Sequence, residues 1–245
     1  MIEVEKVGAV QTIRMNRPEK KNALTDQMYV AFSQALEAGE RDPEVAVHLI
    51  LGSGGVFTAG NDIADFLTFA QGGKLGDGVI GFLRILPDID KPLIAAVDGL
   101  AIGVGTTMLF HCDLVLASPR AVFKTPFLDL GLVPEAGSSL LAPCIMGQGR
   151  AFELLCAGRT FTADQAHAAG FVNEVIPDPD LEQQALALCA DLSSKPPDAM
   201  RIARKMVRGS NVELKQRIED EIDAFRDRLQ SDEARAAFMA FMARK

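Results

Sequence analysis

The apolar positions along the first 120 residues change period several times, and each change marks an element. Ile2–Lys6 and Ala9–Met15 read as two strands folded around Val7-Gly8. Asn16-Arg17-Pro18 ends that pattern. Thr25 then stands ahead of Met28, Phe32, Ala35 and Leu36, a helical stripe with a hydroxyl cap that runs to about Gly39. Val45–Leu51 is a near-continuous apolar run, as expected of a strand covered on both faces. Gly52-Ser53-Gly54-Gly55 turns the chain, and Val56-Phe57-Thr58 forms a short strand before Ala59-Gly60-Asn61-Asp62. Pro92 precedes a second buried strand, Leu93–Val97, followed by a glycine-punctuated turn and an apolar helix from about Thr106. Asp113–Ala117 is a further strand. Strands alternating with helices predict crossover units, a largely parallel sheet and an α/β fold.

Beyond Pro177 the pattern is helical. Leu181, Ala185, Leu188 and Leu192 share one face, and Ile218, Ile222, Phe225 and Leu229 another, with Pro177, Pro179, Pro196 and Pro197 between segments. The last fifty residues read as all-helical, which divides the chain into a core over 1–195 and a helical assembly region over 196–245. Phe238, Met239, Phe241 and Met242 carry enough apolar surface to predict docking onto a core or a neighbouring subunit.

At 245 residues the chain can bury roughly 70–75% of its unfolded surface without a disulfide or metal staple. A net charge of −8 and a pI near 5.0 argue against nucleic acid as a partner. Cys112, Cys144, Cys156 and Cys189 are far apart and form no CxxC pair, the pattern of reduced thiols in a cytoplasmic protein. The start of the chain lacks the cationic-then-apolar order of a secretory leader. The longest apolar run, Leu93–Phe110, is interrupted by Asp98 and glycines, so no membrane span is expected.

The sequence contains no P-loop, no HExxH and no GxSxG elbow. His48, His111 and His167 are scattered, and His111-Cys112-Asp113 cannot form a relay because adjacent side chains diverge. The two glycine turns are more informative. Phe57-Thr58-Ala59-Gly60-Asn61-Asp62 follows one strand, and Gly99 to Gly105 follows another and feeds a helix. Free backbone N–H groups at such turns, with a helix dipole behind one of them, can stabilise a developing oxyanion.

The run Asn16-Arg17-Pro18…Asn22-Ala23-Leu24, the Ala59-Gly60-Asn61-Asp62 turn, Lys91-Pro92…Ala95-Ala96-Val97-Asp98-Gly99, and Cys112-Asp113-Leu114 resemble the crotonase (enoyl-CoA hydratase/isomerase) superfamily, in its order and spacing over nearly the whole chain. The resemblance implies a spiral of ββα units, C-terminal helices that assemble a trimer or a dimer of trimers, and an acyl-CoA thioester substrate. No cofactor is implied beyond coenzyme A, which belongs to the substrate. The paired oxyanion N–H groups of the family fall on Asn61 and Val104, and its coenzyme A contacts on Lys20, Lys21, Ala59, Gly60, Asp62 and Ile63.

Hydratases of this superfamily use two glutamates, and those positions hold Thr107 and Phe127 here. Glu135, in Leu132-Val133-Pro134-Glu135-Ala136-Gly137, together with Thr125-Pro126-Phe127, instead resembles the monofunctional Δ3,Δ2-enoyl-CoA isomerases of the peroxisomal type. In those enzymes one glutamate shuttles the proton. Other readings are a hydratase or related reaction using Glu135 alone, and a non-catalytic acyl-CoA-binding subunit. Asp62 reads as a helix cap, and Asp98 and Asp113 as partners of backbone donors. Asp129 faces either solvent or pocket. Phe66, Leu67, Phe69, Phe82 and Phe127 are candidates for the acyl-tail pocket, under a glycine-rich cover around Thr68–Gly78.

Overall fold

The computed structural model describes every residue except 66, 67, 69–74, 178 and 243–245, and only the backbone of 241 and 242. Phe66, Leu67 and Phe69, the glycine-rich stretch up to residue 74, and the side chains of Phe241 and Met242 therefore lie outside the described residues.

Two sheets are built together. β1 (Ile2–Val7) and β2 (Val10–Met15) form the expected hairpin, antiparallel with Ile2 opposite Met15. β2 then pairs in parallel with β3 (Val47–Leu51), β3 with β4 (Leu93–Val97), β4 with β6 (Leu114–Ala117) and β6 with β9 (Glu174–Val175). A second sheet has the order β5 (Leu100–Ile102), β7 (Val122–Lys124), β8 (Phe161–Thr162). Successive passes of the chain give one strand to each sheet, β4 then β5 and β6 then β7, so the chain climbs as a spiral of ββα units. Every residue of β3 and β4 is buried, which is why both read as continuous apolar runs.

Helix α1 (Asp26–Arg41) is capped by Thr25, whose Oγ1 accepts the Met28 N–H at 3.3 Å. It packs beside α2 (Asp77–Ile85). The helix expected from Thr106 starts earlier and is short. α3 spans Val104–Thr107 and tightens into a 3-10 turn over Met108–His111, because the chain must be back at the main sheet by Leu114. α4 (Ser138–Leu155, two helical segments joined at a kink where Gly147 takes φ +77°), α5 (Ala163–Ala169) and α6 (Leu181–Ser193) follow, then α7 (Pro197–Arg208), α8 (Val212–Leu229) and α9 (Asp232–Met242). No described helix is long and apolar enough to cross a membrane.

The C-terminal helices use their apolar stripe within the chain. Ile218, Ile222, Phe225, Leu229, Ala234 and Phe238 join one buried cluster with Phe32, Phe57, Phe82 and Phe123. α7 is the reverse of an ordinary surface helix. Its Arg204 and Arg208 point inward, each meeting Asp113 through Nε at 2.8 and 2.9 Å, while Ile202, Met206 and Val207 face solvent.

Candidate active site

The first glycine turn is fastened by the segment before it. Asn22 donates through Nδ2 to the carbonyls of Ser53 and Val56, and Thr58 Oγ1 donates to the Asn22 carbonyl at 2.7 Å. Arg17 pairs with Asp62 at 2.6 Å. Asp62 also accepts the Ala64 N–H at 2.9 Å, the capping role expected of it. Burial raises the Asp62 pKa, but the Arg17 guanidinium and the Ala64 N–H outweigh it and hold the carboxyl below the usual range.

The turns leave the second sheet side by side. Thr58 and Ala101 pair in parallel, with the Thr58 N–H on the Leu100 carbonyl and the Ile102 N–H on the Thr58 carbonyl. Asn61 and Val104 each lie three residues beyond that pair, on adjacent exits. Gly60 has φ +84°, and a Cβ there would stand 2.7 Å from the Ile102 carbonyl oxygen, so the two backbones touch where only glycine fits. The Leu24 N–H binds the Gly60 carbonyl and the Asp62 N–H binds the Leu24 carbonyl. In that alternation the Asn61 N–H between them points to the other side. Val104 is the first residue of α3, so its N–H has no acceptor within the helix.

Glu135 comes from the segment between β7 and α4. After it Ala136 and Gly137 take φ of +60° and +67°, an abrupt reversal before α4. His111 holds the reversal. Its Nε2 lies 2.7 Å from the Ala136 carbonyl, which can only accept, so Nε2 carries the proton. Burial lowers the His111 pKa to about 4, which keeps the ring neutral. The Glu135 carboxyl is 7% exposed and accepts a 2.5 Å hydrogen bond from Thr107 Oγ1, one turn along α3 from Val104. Burial raises the Glu135 pKa to about 8, against the Thr107 hydrogen bond and with help from the charge of Glu221.

Glu135 and Asn61 line one cavity of about 10 Å³ with Tyr29, Leu75, Val79, Leu83, Ile222 and Phe225, room for a single water-sized sphere. The Tyr29 hydroxyl donates to Asn61 Oδ1 at 2.5 Å and orients that side chain. Burial, then the charges of Glu135 and Asp26, raises the Tyr29 pKa well above the usual phenol range. A wider groove of about 390 Å³ lies between α2 and α8, but its charged groups are spent on each other in the pairs Arg84–Glu219 and Lys215–Asp88.

Of the coenzyme A candidates, Lys20 and Lys21 are exposed, and the Lys21 carbonyl accepts the Ala59 N–H at 2.9 Å, which joins the lysines to the first turn. Ala59, Gly60, Asp62 and Ile63 form that turn. Phe127 is buried but is not among the cavity-lining residues. Asp129 lies on the surface, 3.3 Å from Lys124, and does not face the cavity. His48 pairs with Glu40, and His167 contacts the Val172 carbonyl, both away from the cavity. Tyr29 as a cavity residue, Thr107 as the partner of Glu135, His111 as its backbone tether, and Glu221 carry no motif that marks these roles in the sequence.

Residues 5–245 match the family described as enoyl-CoA hydratase/isomerase. Enoyl-CoA delta isomerase 2 of Rattus norvegicus is 38% identical over 97% of this chain, which spans 62% of that relative's length. The 1,2-epoxyphenylacetyl-CoA isomerase of Escherichia coli is 32% identical over 96% of this chain and 93% of its own. The solved structure of Pseudomonas aeruginosa OdaA superposes with a TM-score of 0.94 at 40% identity, covering 98% of each chain.

Proposed function

This chain belongs to the enoyl-CoA hydratase/isomerase family, and from that premise we propose that it is an enoyl-CoA isomerase that moves a double bond from C3 to C2 of an acyl-CoA thioester. The observation that carries the reading is the cavity, in which Glu135 is the one carboxylate among the described lining residues and shares the space with Asn61. The Glu135 carboxylate takes a proton from C2. The negative charge that develops on the thioester oxygen is met by the backbone N–H groups of Asn61 and Val104. The protonated Glu135 then returns the same proton to C4, and the double bond settles in conjugation. A carboxyl with pKa about 8 is better matched to a carbon acid than an ordinary glutamate. The exposed Lys20 and Lys21, beside the turn 59–63, suit the phosphates of coenzyme A.

Hydration by the two-glutamate route needs a second carboxylate to activate water. Thr107 and Phe127 offer none, and the nearby Glu221 is engaged by backbone N–H groups. The second reading is a different one-acid rearrangement of an acyl-CoA, favoured by the near full-length similarity to the Escherichia coli epoxide isomerase. The outward-facing Ile202, Met206 and Val207 support assembly into a trimer or a dimer of trimers, and the spacing of the cysteines supports a cytoplasmic setting.

The test is the absorbance of the conjugated thioester as purified protein meets a 3-enoyl-CoA. We expect it to rise in wild type and to fall by ~10²–10⁴-fold in rate in Glu135→Gln, with the dissociation constant for a saturated acyl-CoA little changed. Turnover of Glu135→Gln within tenfold of wild type would remove Glu135 as the base.

A further inference from the structure

A second buried carboxylate stands behind the first. Glu221, on α8, is 7% exposed. One of its oxygens accepts the Gly137 N–H at 2.6 Å, and the other accepts the Ser139 N–H at 3.0 Å and the Ser139 hydroxyl at 2.5 Å. Gly137 and Ser139 open α4, two and four residues after Glu135, where N–H groups have no acceptor within the helix and the dipole favours an anion. Burial pushes the Glu221 carboxyl above the usual carboxylate range, and the Ser139 and Gly137 hydrogen bonds and the Arg217 charge act against that rise. All three bonds use Glu221 as an acceptor, which suits the ionised form, since a protonated carboxyl would turn one oxygen into a donor. Arg217, one turn earlier on α8, donates to the Ser139 hydroxyl oxygen at 3.1 Å and completes the set.

We propose that Glu221 is a positioning residue for Glu135: a buried anion that ties down the backbone carrying the base and, through its charge, strengthens that base's hold on a proton. The proposal rests on reading Glu135 as the base. The titratable groups facing the pair come from three elements. Tyr29 reaches in from α1, with Asp26 three residues earlier, and stays a neutral phenol. His111, from the turn after α3, stays a neutral imidazole. Arg217 shares α8 with Glu221, and on the outer side of that helix Arg84 of α2 is occupied by Glu219. Burial accounts for most of the proton affinity of Glu135, and the Glu221 charge adds to it.

Infrared titration of the protein without substrate tests this, because it reads the protonated carboxyl of Glu135 directly, assigned by its loss in Glu135→Gln. In Glu221→Gln, which keeps the shape and removes the charge, the titration midpoint should fall by about one pH unit. It should stay above the ordinary glutamate range because burial remains. The acid limb of the 3-enoyl-CoA turnover profile should move with it. Ser139→Ala removes one hydrogen bond but neither carboxylate, and should leave the midpoint within a few tenths of a pH unit of wild type. An unmoved midpoint in Glu221→Gln overturns the proposal. If Glu221→Gln does not fold, the Glu135→Gln spectrum at neutral pH decides. Loss of the whole protonated-carboxyl band supports an ionised Glu221, and a surviving band means that Glu221 holds a proton, which overturns it. A shifted midpoint without any 3-enoyl-CoA turnover would sink the isomerase reading alone.

Discussion

Glu135 keeps its proton in the folded protein to about pH 8, whereas its ordinary value is 4.5. Between those values the folded state holds a proton that the unfolded chain has released, so stability is full below about 4.5 and falls as pH rises through 8. Glu135→Gln carries no such loss. Its unfolding free energy should match wild type near pH 4, exceed it increasingly between about 4.5 and 8, and hold a constant lead of up to a few kcal/mol above that. Parallel pH curves for the two proteins would show that Glu135 is ionised at little cost. Motif order alone singles out Glu135, Asn61 and Val104; of these, Glu135 and Asn61 meet in the cavity, and Val104 is not among its lining residues. Thr107 was legible only as a missing acid, since its bond to Glu135 closes a 28-residue separation. Glu221 left a fainter sign. It lies three residues after Ile218 and four before Phe225, so the helical period places a carboxylate on the buried stripe. A charged residue in such a position calls for partners that only tertiary packing can supply.

At the scale of elements, the parallel pairing of Thr58 with Ala101 brings two turns to the same level, and α3 places Val104 and Thr107 on one short rigid piece. Val104 is at the first helical position, where proline costs the helix little because no internal hydrogen bond is lost. Val104→Pro should therefore fold, with a far-ultraviolet circular dichroism spectrum like wild type, yet lose ~10²–10³-fold in kcat for want of one oxyanion donor. Val104→Ala should retain most activity. A folded Val104→Pro protein with wild-type turnover would dispose of the oxyanion assignment. The main sheet was readable because β3 and β4 are buried on both faces. The second sheet was not, because β5, β7 and β8 have three residues or fewer, too short for a period to show.

For the molecule as a whole, the apolar stripe of Ile218–Leu229 and Phe238, expected to serve assembly, packs within the chain, and the large apolar side chains left exposed on the C-terminal helices include Ile202, Met206 and Val207 of α7 and Met239 of α9. Solution mass by light scattering should be three or six times the 26.3 kDa chain. Val207→Glu, at a position 87% exposed in the single chain, should lower it. A monodisperse species near 26 kDa at micromolar concentration would end the trimer reading. The placement of α8 has a consequence for biosynthesis. Two walls of the cavity, Ile222 and Phe225, and the carboxylate that anchors the start of α4 all lie on α8, at positions synthesised more than eighty residues after Glu135. A nascent chain therefore carries Glu135, both glycine turns and the exposed Lys20 and Lys21 before it has an enclosed cavity, and that cavity closes only once α8 has emerged and docked.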